Sequence, residues 1–143
     1  MTILQGKKGL IMGVANNRSI AWGIAEEAKK YGAELAFTYQ GEALQKRVEP
    51  LAASLGSDIV LPCDVNDPAS IKKVFEDLEK KWGKLDFLVH AIAYSDKDEL
   101  RGKYLDTSPA NFTNTMNISA FSLVAISKEA EPLMKKAGGG SII

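Results

Sequence analysis

Gly13 and Ser19 have the residue types and spacing to hold a phosphate group. A short apolar run, Leu10 to Met12, stops at Gly13. A polar loop through Asn16, Asn17 and Arg18 follows, and helical spacing resumes from Ser19. Strand, tight turn and helix in that order bring a helix N-terminus, with its unpaired amides, beside a bound pyrophosphate. At Gly13 the backbone can turn sharply and approach a ligand with no Cβ in the way. Ser19 falls at the N-cap position, where its hydroxyl can serve either the helix or a phosphate oxygen. Gly23 lies one helical turn on, where a missing side chain lets helix and strand pack closely. The spacing departs from G-x-G-x-x-G, since the Asn-Asn-Arg-Ser loop replaces the middle glycine.

Other residues with a chemical use fall at the ends of strand-like runs, which is where a doubly wound sheet places its ligand. A ribose is usually read by a carboxylate at the tip of the second strand. Here that tip is Gln40, with no Asp or Glu after it until Glu42. A neutral amide can hydrogen-bond a ribose, yet it does not repel a 2′-phosphate as a carboxylate does. Lys46 and Arg47 on the next helix can favour such a phosphate, although a solvated helix face is their better reading. Asp64 ends the third run and can accept from an adenine amino group or cap a turn, while Val65 can pack beside the ring. Cys63 has no neighbour in sequence that lowers its thiol pKa and reads as a small buried residue. His90, the only histidine, lies in an apolar strand with no second ligand at matching spacing and reads as a packed core residue. No metal site and no catalytic residue is assigned.

The elements that must position these residues alternate between strand and helix patterns, as in a parallel sheet covered by helices. Strands are expected at Lys8–Val14, Glu34–Tyr39, Asp58–Pro62 and Leu85–Ala91, with a fifth beginning at Ser141. The first helix is expected at Ile20–Tyr31, closed by Gly32, with Ile20, Ile24 and Ala28 as its stripe toward the sheet. The second runs from about Glu42 to Leu55 and should break or kink at Pro50. The third starts at Asp67-Pro68, cap and first-turn proline, buries Ile71, Val74, Phe75, Leu78 and Trp82, and stops at Gly83. Residues 94–108 form a long polar loop. A long helix from Pro109 to Lys136 follows, bent or shortened at Pro132.

The chain has 143 residues, enough for one domain with a sizeable core. Its 18 basic and 18 acidic residues cancel, so no electrostatic footprint argues for nucleic acid or a membrane surface. One cysteine permits no internal disulfide. With no long apolar leader and no membrane-length apolar run, a soluble cytoplasmic protein is expected.

The segment Gly13-x5-Ser19-Ile20-Ala21-x-Gly23-Ile24-Ala25 resembles the variant nucleotide loop of bacterial enoyl-acyl-carrier-protein reductases, a divergent branch of the short-chain dehydrogenase/reductases. The resemblance extends through residues 33–40, 56–65 and 86–93, four matches in the right order and spacing. It implies an α/β, Rossmann-type doubly wound parallel sheet and a single dinucleotide-binding domain over residues 1–143. It also implies NADH as cofactor, with NADPH open, bound by Gly13, Ser19, Ile20, Gln40, Asp64, Val65 and Ile92. Asp64 and Val65 stand at the family's adenine site, and Ile92 at the end of the fourth strand is the van der Waals contact to the cofactor. Ala93 is a mild departure from the small residues usual there. Tyr94 and Ser95 follow where the family places substrate contacts, and Ser95 is the candidate. Asn117 stands where many short-chain dehydrogenases hold an Asn that supports a proton relay; a capping or surface role is about equally open.

The family reduces the 2,3 double bond of an enoyl thioester carried on acyl carrier protein, a step of fatty-acid elongation. Its Tyr and Lys follow the fifth strand, the strand in which this sequence ends. The expectation is therefore a nucleotide-binding half, inactive alone, aggregation-prone or oligomeric through its open strand edge, from a parent that forms homotetramers. Two other functions stay open: a short-chain reductase acting on a ketone or alcohol, and a noncatalytic dinucleotide-binding module.

Overall fold

The computed structural model describes residues 2–143. Five strands, β1 (Lys8–Met12), β2 (Glu34–Tyr39), β3 (Val60–Pro62), β4 (Phe87–His90) and β5 (Ser141–Ile142), form one parallel sheet in the order β3-β2-β1-β4-β5. Leu10 at its centre pairs with Ala36 on one side and Leu88 on the other. The doubly wound sheet expected from the alternating pattern is present, and its order reverses between β1 and β4.

Strand alternation sends successive side chains to opposite faces, and both faces are covered. Leu10, Met12, Ala36 and Leu88 pack under α3 (Pro68–Trp82) and α5 (Ser122–Lys136), against Ile71, Val74, Leu78, Ile126 and Leu133. Ile11, Phe37 and Val89 face α1 (Ile20–Lys30) and α2 (Glu42–Ser54), against Ala21, Trp22, Ala25, Val48 and Ala52. This two-sided burial explains why the strands read as apolar runs rather than alternating ones. Among the described residues, no helix is long and apolar enough to cross a membrane.

Three helix expectations need correction. In α1 Ala28 is buried as expected, but Ala21, Trp22 and Ala25 join it in place of Ile20 and Ile24, and Ile20 is 82% exposed. The small stripe lets the helix approach the sheet, while Ile20 and Ile24 line an open groove of about 900 Å³ with Leu4, Tyr31, Phe87 and Ile143. Helix α2 runs unbroken through Pro50. The proline withholds one N–H and crowds the carbonyl four residues back, but Pro50 and Lys46 both lie on the solvent side, where water can take that carbonyl.

Pro132 is likewise exposed and internal to α5. The irregularity of the long helix lies elsewhere, in a π-helical turn at Asn117–Phe121 that joins α4 (Pro109–Met116) to α5. Helix α3 is as expected: the Asp67 side chain accepts from the Ala69 amide, and Gly83 closes the helix in the left-handed region at φ 71°. Trp82 is only partly buried and stacks under the Lys8 ammonium, 5.3 Å from the ring centroid.

Candidate functional site

A cleft of about 530 Å³ opens at the carboxyl ends of the strands, where the sheet order reverses. Its floor is the point where β1 and β4 diverge. Gly13 has φ 109°, and a Cβ built there falls on the carbonyl of Ala91. Only glycine satisfies both the dihedral and the close approach. Val14, Ala15, Gln40, Asp64, Val65, Ala91, Ile92 and Tyr94 complete one rim, and Asn114 and Ile118 reach in from the long helix.

Of the residues named from sequence, Gly13, Gln40, Asp64, Val65 and Ile92 line this one cleft. Ser19 stands beside it. Its backbone is at the N-cap of α1, but its hydroxyl makes no cap bond; it accepts from the amides of Ala15 at 3.0 Å and Asn16 at 3.2 Å. That bond ties the entering loop to the helix end and leaves the Ser19 hydroxyl hydrogen available. Among the described residues, the Ile20 and Ala21 amides meet no acceptor, so the start of α1 keeps open donors and the positive end of its dipole. Ile20 thus offers its backbone here, since its side chain points to the outer groove.

Asp64 is exposed and held at two points. Its amide donates to Ser70 Oγ at 2.9 Å, and its Oδ1 accepts from the Asn66 amide at 2.9 Å. The turn-capping role and the ligand role are therefore compatible, one oxygen serving the turn and the other left open. Cys63, buried behind it, has its thiol pushed up to about 11, first by burial and then by the nearby Asp64 and Asp67 carboxylates. It is no nucleophile at neutral pH. At the β2 tip, Lys46 is paired with Glu42 at 2.8 Å, consistent with a solvated helix face.

Ser95 lies outside the cleft lining. Its Oγ accepts from Asn111 Nδ2 at 3.1 Å and from Thr115 Oγ1 at 3.2 Å, which fixes it against α4. His90 is only partly buried at the end of β4, outside both core clusters, which corrects the expectation of a packed core residue; a hydroxyl of α5 holds it there. Ser122 Oγ donates to the Ile118 carbonyl at 2.6 Å, so it accepts from His90 Nε2–H at 2.7 Å. Burial holds the His90 imidazole below its ordinary value, which keeps it neutral.

Sequence reading missed Asn66, Asn114 and Ile118. Asn66 follows the strand-end motif by one residue and was within reach of that signal. Asn114 and Ile118 had none, because the π turn that orients this part of the helix leaves no mark in residue type. That turn is stitched down along its length. Asn117 Nδ2 donates to Asn66 Oδ1 at 2.6 Å, and Ser119 Oγ bridges the Tyr94 amide at 3.0 Å and carbonyl at 3.2 Å.

The comparisons agree with this geometry. A family model described as Enoyl-(Acyl carrier protein) reductase matches residues 13–143. The curated enoyl-(acyl-carrier-protein) reductase (NADH) 1 of Rhizobium meliloti (strain 1021) is 59% identical over 141 residues, covering 99% of this chain and 51% of that protein. Among solved structures, FabI from Candidatus Liberibacter asiaticus matches with a TM-score of 0.95 at 52% identity, over 99% of this chain and 54% of its own. The reductase from Anaplasma phagocytophilum, solved in complex with NAD, matches with a TM-score of 0.91 at 53% identity, over 97% of this chain and 52% of its own. The chain spans about half the length of the relatives it matches. With the family match running from the cleft-floor glycine to Ile143, the chain belongs to the enoyl-(acyl carrier protein) reductase family.

Proposed function

We propose that this chain forms the NADH-binding half of a reductase that saturates the 2,3 double bond of enoyl thioesters carried on acyl carrier protein. The observation that carries the reading is the cleft floor. Gly13 against Ala91 leaves the backbone bare where a pyrophosphate has to approach, beside the open amides of Ile20 and Ala21. In this reading Ser19 donates its hydroxyl hydrogen to a phosphate oxygen, Gln40 bonds the adenosine ribose, and Asp64 accepts from the adenine amino group while Val65 flanks the ring. Ile92 packs against the nicotinamide side. When bound, NADH supplies the hydride. Ser95, set by Asn111 and Thr115, is the substrate contact at the mouth.

The same reading makes the parent protein cytoplasmic and homotetrameric, assembled through the long helix. Phe112, Met116, Phe121 and Val124 support this, each between 47% and 61% exposed. They follow one another at steps of four, five and three residues, the step of five falling across the π turn. A contiguous exposed apolar stripe of this kind marks a contact surface.

The test is thioester-dependent oxidation of NADH by the protein expressed from its natural gene, with a crotonyl thioester as substrate. Turnover with the thioester and none with ketones supports the reading. NADH binding without turnover on any thioester overturns it in favour of a noncatalytic module, and turnover on ketones in favour of another short-chain reductase. Replacing NADH by NADPH in the same assay decides the cofactor.

A further inference from the structure

Two side chains from distant parts of the chain meet beside the strand-end carboxylate. Asn66 belongs to the loop between β3 and α3, and Asn117 opens the π turn. Asn117 Nδ2 donates to Asn66 Oδ1 at 2.6 Å, across 51 residues of sequence. The next bond in line runs from the Asn66 amide to Asp64 Oδ1 at 2.9 Å. Asp64 and Asn66 both line the cleft. A bond between exposed amides adds little to folding stability. Its effect is geometric: it anchors the turn whose amide orients the carboxylate, and that turn otherwise rests on the Ser70 hydroxyl and the backbone bond from the Asp67 amide to the Asp64 carbonyl.

We infer that Asn117 is a positioning residue for base recognition, acting through Asn66 on the Asp64 carboxylate. The inference rests on the reading of Asp64 as the partner of the adenine amino group. It gives the π turn a task at the nucleotide end of the cleft, beside its bonds to Tyr94 at the mouth. A carboxylate free to rotate about its turn still binds a dinucleotide but discriminates less between an amino group and a carbonyl at the same ring position.

The experiment compares KM for NADH and for reduced nicotinamide hypoxanthine dinucleotide, whose base carries a carbonyl in place of the amino group. It uses the protein from its natural gene, wild type beside Asn117→Ala, Asn66→Ala and the double variant. The wild type is expected to prefer NADH. Each single variant should cut that preference by about three- to tenfold, and the double variant by no more than either single, since the two residues act as one unit. Both KM values rising alike, an unchanged preference, or a fall in kcat with the preference intact (the outcome of a proton-relay role) overturns the inference. A wild type that oxidises NADH yet shows no preference removes the Asp64 assignment and the inference with it. A wild type that does not turn over NADH removes the proposed function itself.

Discussion

Gly13 and the Ala91 carbonyl occupy neighbouring ends of β1 and β4 so closely that no side chain fits between them. The strands part immediately beyond, and the cleft begins there. Gly13→Ala faces two penalties at once, a left-handed backbone at φ 109° and a backbone oxygen that cannot move aside. The dihedral alone costs about 1–3 kcal/mol. The expected outcome is a lower urea midpoint together with a more than roughly tenfold loss of NADH affinity, the latter equivalent to about 1.4 kcal/mol. Fluorescence titration beside an unfolding curve checks both, and wild-type affinity in the variant would falsify the assignment of the cleft floor.

Stability should fall in two separate stages as pH is lowered. Burial holds His90 below its ordinary 6.5, so the fold favours the neutral ring and protons favour the unfolded chain. That contribution is complete above pH 6.5 and is lost as pH drops through the folded-state value. Asp86 follows at lower pH. Burial pushes its carboxyl up, but the Lys8 amide at 2.9 Å and the ammonium groups of Lys84 at 3.1 Å and Lys7 at 3.3 Å outweigh it and hold the group below 3.8. Its contribution is intact above 3.8 and lost below. Urea midpoints across pH should show both stages in the wild type, and His90→Gln should abolish the first alone.

Cys63 should be inert in the folded chain. With its thiol pushed up to about 11 and its surface covered, alkylation by iodoacetamide near neutral pH is expected only after unfolding. Mass spectrometry of the native and urea-treated protein reads this directly. Rapid native labelling would show that the end of β3 opens far more often than the buried geometry allows.

The apolar stripe on the long helix predicts what a single charge will do. Val124→Asp places a carboxylate on an exposed position of α5, where it should barely disturb the chain's own fold. In the tetramer proposed above it would sit unpaired inside a contact. Light scattering should therefore report a smaller assembly for the variant than for the wild type; equal masses would move the contact to another face.

Much of this architecture was legible because local chemistry and fold agreed. Asp67-Pro68 and Gly83 bracket α3, and Glu34–Tyr39 is a strand in the bounds its pattern suggests. The cleft residues that sit at strand ends were legible for the same reason. What sequence left hidden depended on solvent or on distant partners. Pro50 and Pro132 read as breaks, but their crowded carbonyls face water and the helices continue. Ile20 read as a core contact because helical spacing gives a stripe without its rotation about the axis. The π turn rests on bonds from Asn117 to Asn66 and from Ser119 to Tyr94, and no window of sequence contains both partners.

That turn also sets how the chain can tolerate a change in length. Removing one residue from an α-helix rotates everything downstream by about 100°, which elsewhere in α5 would carry Ile126, Ala130 and Leu133 out of the core. A π turn already holds one residue more than the helical repeat requires. Loss of a residue within 117–121 can relax it to ordinary helix and leave the packing on either side in phase. The stitches to Asn66 and Tyr94 would go, while the fold would stay. The long helix thus carries a built-in spare residue, and with it a place where shortening separates the protein's architecture from the fine setting of its cleft.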